Sequence, residues 1–228
     1  MPKVKTRRAP VRQLRHTVRK PADTETERRI LDAARVVFVR RGTSGARMQE
    51  IAAEAGVNQA LLHYYYRSKE RLSAAVFEQF ASRMFPAVLR ILGSEMSLDE
   101  KIEALIGTYL DNLSRNPFLP GYLLSELHHQ PERVAQFLAA VSGGAPGAAL
   151  ASAFTVLGRQ INERVETGTM RPISPQQFTV NLISLCIFPF AARPMLSILL
   201  GMDDAAFTRF IEQRRRELPS FFRSALRP

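Results

Sequence analysis

Residues 47 to 70 contain a short polar surface that could contact nucleic acid. The sequence RMQEIAAEAGVNQALLHYYYRSKE reads as two short helices joined by a tight turn, with polar and aromatic side chains on the second helix. Leu62 and Tyr66 lie four residues apart on one side of that helix. The opposite side is left with Gln59, Ala60, His63 and Tyr64. Such a helix–turn–helix places its second helix in the major groove of DNA, with its first turn leading.

Local signals predict the elements that position this surface. Gly56 tolerates the left-handed backbone that ends a helix, and Asn58 is suited to cap a second helix over residues 59 to 66. Ser68 is suited to cap a third, longer helix. The first helix of the motif is indicated by an apolar stripe at helical spacing: Met48, Ile51, Ala52 and Ala55.

A further helix of about 17 residues is predicted before the motif. Thr24 and Glu27 have the spacing of a capping box, and Gly42 is expected to end the helix. Its apolar face consists of Ile30, Leu31, Ala34, Val37 and Phe38. Three helices in such a short segment predict a small bundle with a thin core of its own.

The segment from Ile30 to Leu72 resembles, without gaps, the DNA-binding domain of the TetR family of bacterial transcriptional regulators. The resemblance is carried by ILDAARVVFVRRG, by AGV in the turn, by the aromatic cluster and by Ser68, Lys69, Glu70 and Leu72. It implies an all-α fold. An N-terminal three-helix, homeodomain-like helix–turn–helix domain is followed by a helical domain for ligand binding and dimerisation.

The resemblance also implies roles for individual residues. Gln59 and Ala60 correspond to positions that touch base edges, and Lys69 to a phosphate contact at a helix start. Leu61 stands where the family often has threonine, and it could touch a thymine methyl group. The full set expected to face DNA is Arg47, Gln49, Asn58, Gln59, Ala60, Leu61, His63, Tyr64, Tyr65 and Lys69.

Some of these residues have a purely structural alternative. Tyr65 is balanced between packing and phosphate contact, and Arg47 and Gln49 could be solvated helix surface. His63 replaces the tyrosine that is usual in the family, although it could still donate to phosphate. Ala46-Arg47 likewise departs from the Ser or Thr that usually starts the first motif helix, so the operator sequence cannot be transferred from a relative.

The basic charge of the chain is concentrated at its start. The net charge is +11, and residues 1 to 22 contain eight basic residues and no acidic residue. This arm also contains three prolines and little apolar periodicity, so it is expected to be disordered. It could follow phosphates or enter a minor groove. The alternative is a solubilising tail.

Other kinds of site are poorly supported by the sequence. His128 and His129 are adjacent but lack further residues at metal-ligand spacing, and Cys186 lies in an apolar run, where an inert buried thiol is expected. No glycine-rich phosphate loop and no nucleophile–base arrangement is evident. We therefore expect no metal, no cofactor and no enzymatic activity. A secretory signal is not expected, because no apolar stretch follows the N-terminal charges.

Residues 71 to 228 are predicted to form the second domain, after the arm (1–22) and the DNA-binding domain (23–70, motif about 47–66). Helices are predicted at about 68–91, 97–114, 117–129, 131–141, 148–166, 175–192 and 203–226, with possible bends at Pro86, Pro189 and Pro219. Residues 180 to 200 are nearly apolar. Asn181, Arg193 and two prolines make them a poor membrane span, so burial against a partner is favoured.

The resemblance places a homodimer interface on helices 148–166 and 175–192, assisted by 203–224. It also implies a cavity among the middle helices, for which we expect a small apolar or aromatic effector. Residues of these types are more often ordinary core than part of a ligand site. The candidates are Tyr109, Asn112, Phe118, Tyr122, His128, Phe137 and Phe154.

Taken with the resemblance, the sequence predicts a cytoplasmic, nucleoid-associated bacterial regulator. Most simply it is a repressor that binds a palindromic double-stranded operator as a homodimer and releases it when an effector binds. The alternatives are a non-specific architectural DNA-binding protein, an activator of the same family and, without a supporting constellation, a helical enzyme.

Overall fold

The computed structural model describes residues 21–129, 132 and 148–228, and every regular element in these ranges is an α-helix. The first four helices are α1 (Pro21–Gly45), α2 (Met48–Glu54), α3 (Gln59–Tyr65) and α4 (Lys69–Leu92). The next three are α5 (Leu98–Arg115), α6 (Leu119–His129) and α7 (Ala148–Glu166). The last three are α8 (Pro175–Ala191), α9 (Arg193–Leu200) and α10 (Asp204–Ala225). The predicted all-α fold class is confirmed.

Side-chain caps set most of the helix starts that the sequence predicted. Asn58 accepts a hydrogen bond from the Leu61 amide at 2.7 Å, and Ser68 accepts one from the Arg71 amide at 3.3 Å. Ser97 forms a full capping box with Glu100 at the start of α5. The predicted capping box at Thr24 is wrong, because α1 already begins at Pro21 and Thr24 lies inside the helix.

The N-terminal domain is built on one small core. Ile30, Phe38, Ile51 and Leu62 are fully buried there, and each of the helices α1 to α3 contributes at least one of them. The first two turns of α4 complete the core with Leu72 and Val76. The domain therefore extends beyond the boundary at residue 70 that the sequence suggested.

The C-terminal domain surrounds α5, which packs against α4, α8 and α10. Lys101 on α5 is fully buried, and its ammonium donates to the Leu92 carbonyl at the end of α4 at 2.7 Å. Burial lowers the pKa of this lysine. A cation at the carbonyl end of a helix is favourable, so Lys101 joins the end of α4 to α5.

Three sequence predictions need correction or fall outside the described residues. The apolar stretch 180–200 forms two helices, since α8 ends at Ala191 and α9, which was not predicted, runs to Leu200. Part of the predicted arm is helical, because α1 includes Pro21 and Ala22. Residues 1–20 and the predicted helix 131–141 lie outside the described residues, apart from residue 132.

No single described helix has both the length and the apolar character needed to cross a membrane. The pair α8 and α9 satisfies those criteria only when taken together, and its two helices are bent by 72° relative to each other.

Candidate nucleic-acid interface

The side chain of Arg29 holds the turn between α2 and α3 in place. Gly56 has the positive φ that the sequence suggested, +64°. The Arg29 guanidinium donates to the Ala55 carbonyl at 2.6 Å and to the Gly56 carbonyl at 3.3 Å. These bonds satisfy carbonyls at the end of α2 and fix the angle at which α3 leaves the turn. Sequence reasoning missed Arg29, because its partners are backbone atoms 26 and 27 residues away.

Helix α3 presents one polar face to solvent. Leu62 is fully buried and anchors the opposite face, as predicted. Tyr64 is 79% exposed, and Leu61 lies at 36% exposure between the polar residues. The exposed set includes five predicted DNA-facing residues: Gln59, Ala60, Leu61, His63 and Tyr64. Asn58 is also exposed, but its side-chain oxygen is engaged as the helix cap.

The end of α3 is attached to the beginning of α1 by two tyrosines. The Tyr65 hydroxyl donates to Asp23 at 3.2 Å, and the Tyr66 hydroxyl donates to Glu27 at 3.2 Å. Partial burial and the Asp23 carboxylate raise the pKa of Tyr65. Its ring meets that of Tyr64 edge-on, with centroids 5.4 Å apart. Tyr65 therefore has a structural contact, while Tyr64 extends into solvent.

Lys69 has a structural role that the sequence did not indicate. Its ammonium donates to the Ser44 carbonyl at 2.9 Å and to the Ala46 carbonyl at 3.3 Å. The side chain thus ties the first residue of α4 to the segment that leads into α2. One ammonium proton is left for a further acceptor, such as a phosphate oxygen.

Two exposed residues mark the start of α2. Arg47 is its N-cap, with extended backbone and no side-chain capping bond, and Gln49 follows in the first turn. The acidic residues of this helix are directed to α1, where Glu50 pairs with Arg41 and Glu54 pairs with Arg40. These ion pairs neutralise the carboxylates that would otherwise repel phosphate near α2.

An aromatic contact joins the two domains. Phe118, between α5 and α6, packs on Phe38 of the N-terminal core with ring centroids 5.6 Å apart. Beside it, Tyr122 of α6 packs on Phe77 of α4 at 5.7 Å. Neither Phe118 nor Tyr122 is among the described residues that line the cavity of the second domain, although both were predicted pocket residues.

That cavity has a volume of about 250 Å³ and lies between α4, α5, α7 and α8. Tyr109 and Phe154, two predicted pocket residues, line it together with Phe85 and Phe178. Asn112 is elsewhere, because its amide donates to the Thr108 carbonyl within α5. The His128 side chain and Phe137 lie outside the described residues.

Among the described residues, no group of three or more His, Cys, Asp or Glu side chains could hold a metal ion. Cys186 is fully buried, and burial raises the pKa of its thiol to about 12. The thiol is therefore protonated at neutral pH and unsuited to metal ligation or nucleophilic attack.

Large exposed apolar side chains are grouped on α8, α9 and α10. Val180 and Phe188 belong to α8, and Phe221, which is 61% exposed, belongs to α10. Helix α9 adds Met195, Ile198, Leu199 and Leu200. Helix α7 was predicted to share in dimerisation. In its described part, no large apolar side chain is exposed.

Known proteins resemble the chain in sequence and fold. A model of the family described as "Bacterial regulatory proteins, tetR family" matches residues 30–76. The HTH-type transcriptional repressor NicS of Pseudomonas putida is 27% identical over 193 residues, which cover 82% of this chain and 85% of NicS. The HTH-type transcriptional repressor SCO4008 of Streptomyces coelicolor is 34% identical over 126 residues, which cover 52% of this chain and 64% of SCO4008. The crystal structure of HlyIIR, a hemolysin II transcriptional regulator, shares the fold with a TM-score of 0.56 at 23% identity, over 90% of this chain and 98% of that one.

Proposed function

This chain belongs to the TetR family and is a DNA-binding transcription regulator, and we propose that it is a homodimeric repressor released from a palindromic operator by a small-molecule effector. The family predicted from the sequence is confirmed. The observation that carries the proposal is the exposed polar face of α3, held in a fixed position by the Leu62 anchor and the Arg29 clamp. A rigid, solvent-facing helix of this kind is suited to the major groove.

Within the proposal, the α3 face divides into two roles. Gln59, Ala60 and Leu61 begin the helix and read base edges, since the first turn of a recognition helix enters the groove deepest. His63 and Tyr64 contact the phosphates beside the groove, together with the remaining ammonium proton of Lys69. Arg47 and Gln49 meet the phosphate backbone from α2. Asn58 supports these contacts mainly by capping α3, and Tyr65 supports them mainly through its hydrogen bond to Asp23.

Regulators of this family bind DNA and function as dimers, and we propose that this chain pairs through α8 and α10. The support is that Phe188 on α8 and Phe221 on α10 are exposed, as are the large apolar side chains of α9. Exposed apolar side chains of this size are typical of interfaces. The predicted contribution of α7 has less support, because its described outward residues are small or polar. A two-fold dimer matches an operator with half-sites about 34–36 Å apart or a multiple of that spacing.

We propose that the cavity holds the effector and that α4 transmits its binding. Helix α4 begins at Lys69 beside the DNA-facing surface and reaches the cavity with Phe85. An effector that fits only one position of α4 shifts the protein population towards the state in which α4 has that position, and the DNA-binding domains move with it. The size of the shift is limited by the difference in the effector's affinity for the two states. The protein then acts in the bacterial cytoplasm on nucleoid DNA.

The experiment that tests the proposal is selection of fragmented genomic DNA by the purified full chain at about 150 mM salt. Enrichment of one inverted repeat is expected, and a Gln59→Ala variant should select a relaxed or altered repeat. A variant with Glu163→Ala, on the exposed surface of α7, serves as the control and should select the wild-type repeat. Broad retention without a motif would contradict the proposal and favour the architectural alternative.

The sign of regulation needs a second measurement. A reporter gene placed behind its own promoter and the selected repeat should be expressed less when the regulator is present. Higher expression would show an activator of the same family.

A further inference from the structure

The cavity contains one hydroxyl group without a described partner. Besides Tyr109, the only described lining residue with a polar side-chain atom is Thr179, and its hydroxyl donates to the Pro175 carbonyl at 2.8 Å. Tyr109 is only 6% exposed, and no hydrogen bond joins its hydroxyl to another described residue, although its oxygen is not among the fully buried atoms that lack a partner. A hydroxyl group at the wall of an apolar cavity offers a ligand one place to form a hydrogen bond, and a ligand without a matching group forgoes that bond.

The surroundings of Tyr109 are also uncharged. None of the described lining residues is ionisable apart from Tyr109 itself. Burial, followed by the neighbouring Cys186, raises the pKa of Tyr109 to about 12, so the phenol is neutral at physiological pH. Arg214, the cation next to Cys186, does not line the cavity and donates to the Leu185 carbonyl at 2.9 and 3.1 Å. An anionic ligand would lose its hydration here without gaining a cation from the described lining.

We propose that the cavity binds a neutral, mainly hydrocarbon molecule that carries one hydrogen-bonding group, and that the Tyr109 hydroxyl pairs with that group. This inference rests on the proposed function, because it names the effector class of the same site. An apolar cavity of about 150 Å³ holds benzene, so a cavity of this volume takes a molecule of roughly two fused rings. Carboxylates and phosphate esters are excluded from the class.

Three probes of one shape test the class. Naphthalene, 2-naphthol and 2-naphthoate share a two-ring skeleton and differ in the polar group. By titration calorimetry with the full chain at neutral pH, 2-naphthol should bind roughly fivefold more tightly than naphthalene, as one net hydrogen bond implies. The carboxylate should bind at least roughly a hundredfold more weakly than 2-naphthol. Equal binding of 2-naphthol and 2-naphthoate, or no binding of either neutral probe, would overturn the proposal.

Two variants place the binding in this cavity. Tyr109→Phe should keep naphthalene binding and remove the preference for 2-naphthol, whereas Tyr122→Phe, a buried tyrosine away from the cavity lining, should retain it. Ile183→Phe narrows the cavity and should weaken both neutral probes. A preference that survives Tyr109→Phe, or full affinity in Ile183→Phe, would show that the probes bind elsewhere.

Release of operator DNA is measured separately, by fluorescence anisotropy of a labelled duplex. Binding of 2-naphthol through Tyr109 without DNA release supports the ligand class and contradicts effector control. If 2-naphthoate releases operator DNA and Tyr109→Phe does not change that release, effector control is supported and the proposed ligand class is wrong.

Discussion

The proposed DNA-facing surface and the proposed ligand cavity are held by different kinds of interaction. The first rests on two helices of seven residues each, α2 and α3, fixed by polar side chains that bond to backbone atoms, as Arg29 and Lys69 do. The second is a gap between longer helices whose described lining is almost wholly apolar. The surface that we propose to contact DNA is thus rigidly clamped, whereas the cavity has room to change shape.

The largest expected difference between the regions concerns core truncation. Leu62→Ala should lower the free energy of unfolding by about 2–5 kcal/mol and abolish operator binding, because Leu62 is fully buried in a small core. Ile183→Ala should lower the free energy of unfolding by only about 1–2 kcal/mol, because Ile183 already faces a cavity. Urea unfolding followed by circular dichroism measures both. Equal losses at the two sites would contradict the view of the cavity as loosely packed.

Removal of the Arg29 clamp should be the next largest effect. Arg29→Ala leaves the Ala55 and Gly56 carbonyls without this donor, so we expect about 1–3 kcal/mol of destabilisation and roughly tenfold weaker operator binding. Arg28→Ala is the matched control, since it also removes one charge, and among the described residues Arg28 forms only surface pairs, with Glu25 and Asp32. If both variants behave alike, the effect comes from charge and the clamp has no special role.

Tyr64 tests the DNA-facing surface without disturbing its support. Tyr64→Ala should weaken operator binding roughly tenfold while the melting temperature stays within about 2 °C, because the side chain is 79% exposed. Tyr64→Phe separates the hydroxyl from the ring. A large fall in melting temperature would show that the ring has a packing role instead.

Phe118 tests whether the two regions communicate through the interdomain contact. Phe118→Ala removes the packing on Phe38, and we expect the effector to release DNA less completely while each ligand alone binds within about threefold of wild type. The measurement is DNA affinity with and without saturating effector. Leu124→Ala, on the exposed face of α6, is the control, and an unchanged coupling in Phe118→Ala would exclude this contact.

The smallest expected effect on stability near neutral pH concerns two buried groups of the second domain, the Cys186 thiol and the Tyr109 phenol. The same effect is clearest at alkaline pH. The pKa of Cys186 is raised from 9.0 and that of Tyr109 from 10.0, each to about 12. The unfolded chain therefore releases these protons first, and stability is lost as the pH rises from 9 towards 12. Tyr109→Phe should make that loss shallower in urea titrations at each pH. An identical slope would show that the phenol is solvated in the folded protein.

The sequence predicted the N-terminal domain well because its signals are local. Asn58 and Ser68 cap helices within three residues of themselves, and Gly56 supplies a backbone angle that its own type permits. Arg29 and Lys69 gave no such signal, because their partners are distant carbonyls that any residue could supply.

The second domain was less predictable for a physical reason. Helices α7 and α8 have clear polar starts or ends, whereas the break at Ala192 lies inside an apolar run. Pro194 near the start of α9 was the one available indication of a new helix. The cavity is a space between four helices, so candidate residues could be guessed only by type. Tyr109 and Phe154 line it, while Asn112, Phe118 and Tyr122 are not among its described lining.

The apolar end of α9 has a consequence for gene dosage. Ile198, Leu199 and Leu200 are 83%, 69% and 60% exposed in the single chain. If pairing covers them, newly made monomers expose a surface that proteases and chaperones recognise, and mass action decides how long they do so. The active regulator would then accumulate with the square of the monomer concentration, so that a cell making few copies loses proportionally more of them before they reach DNA.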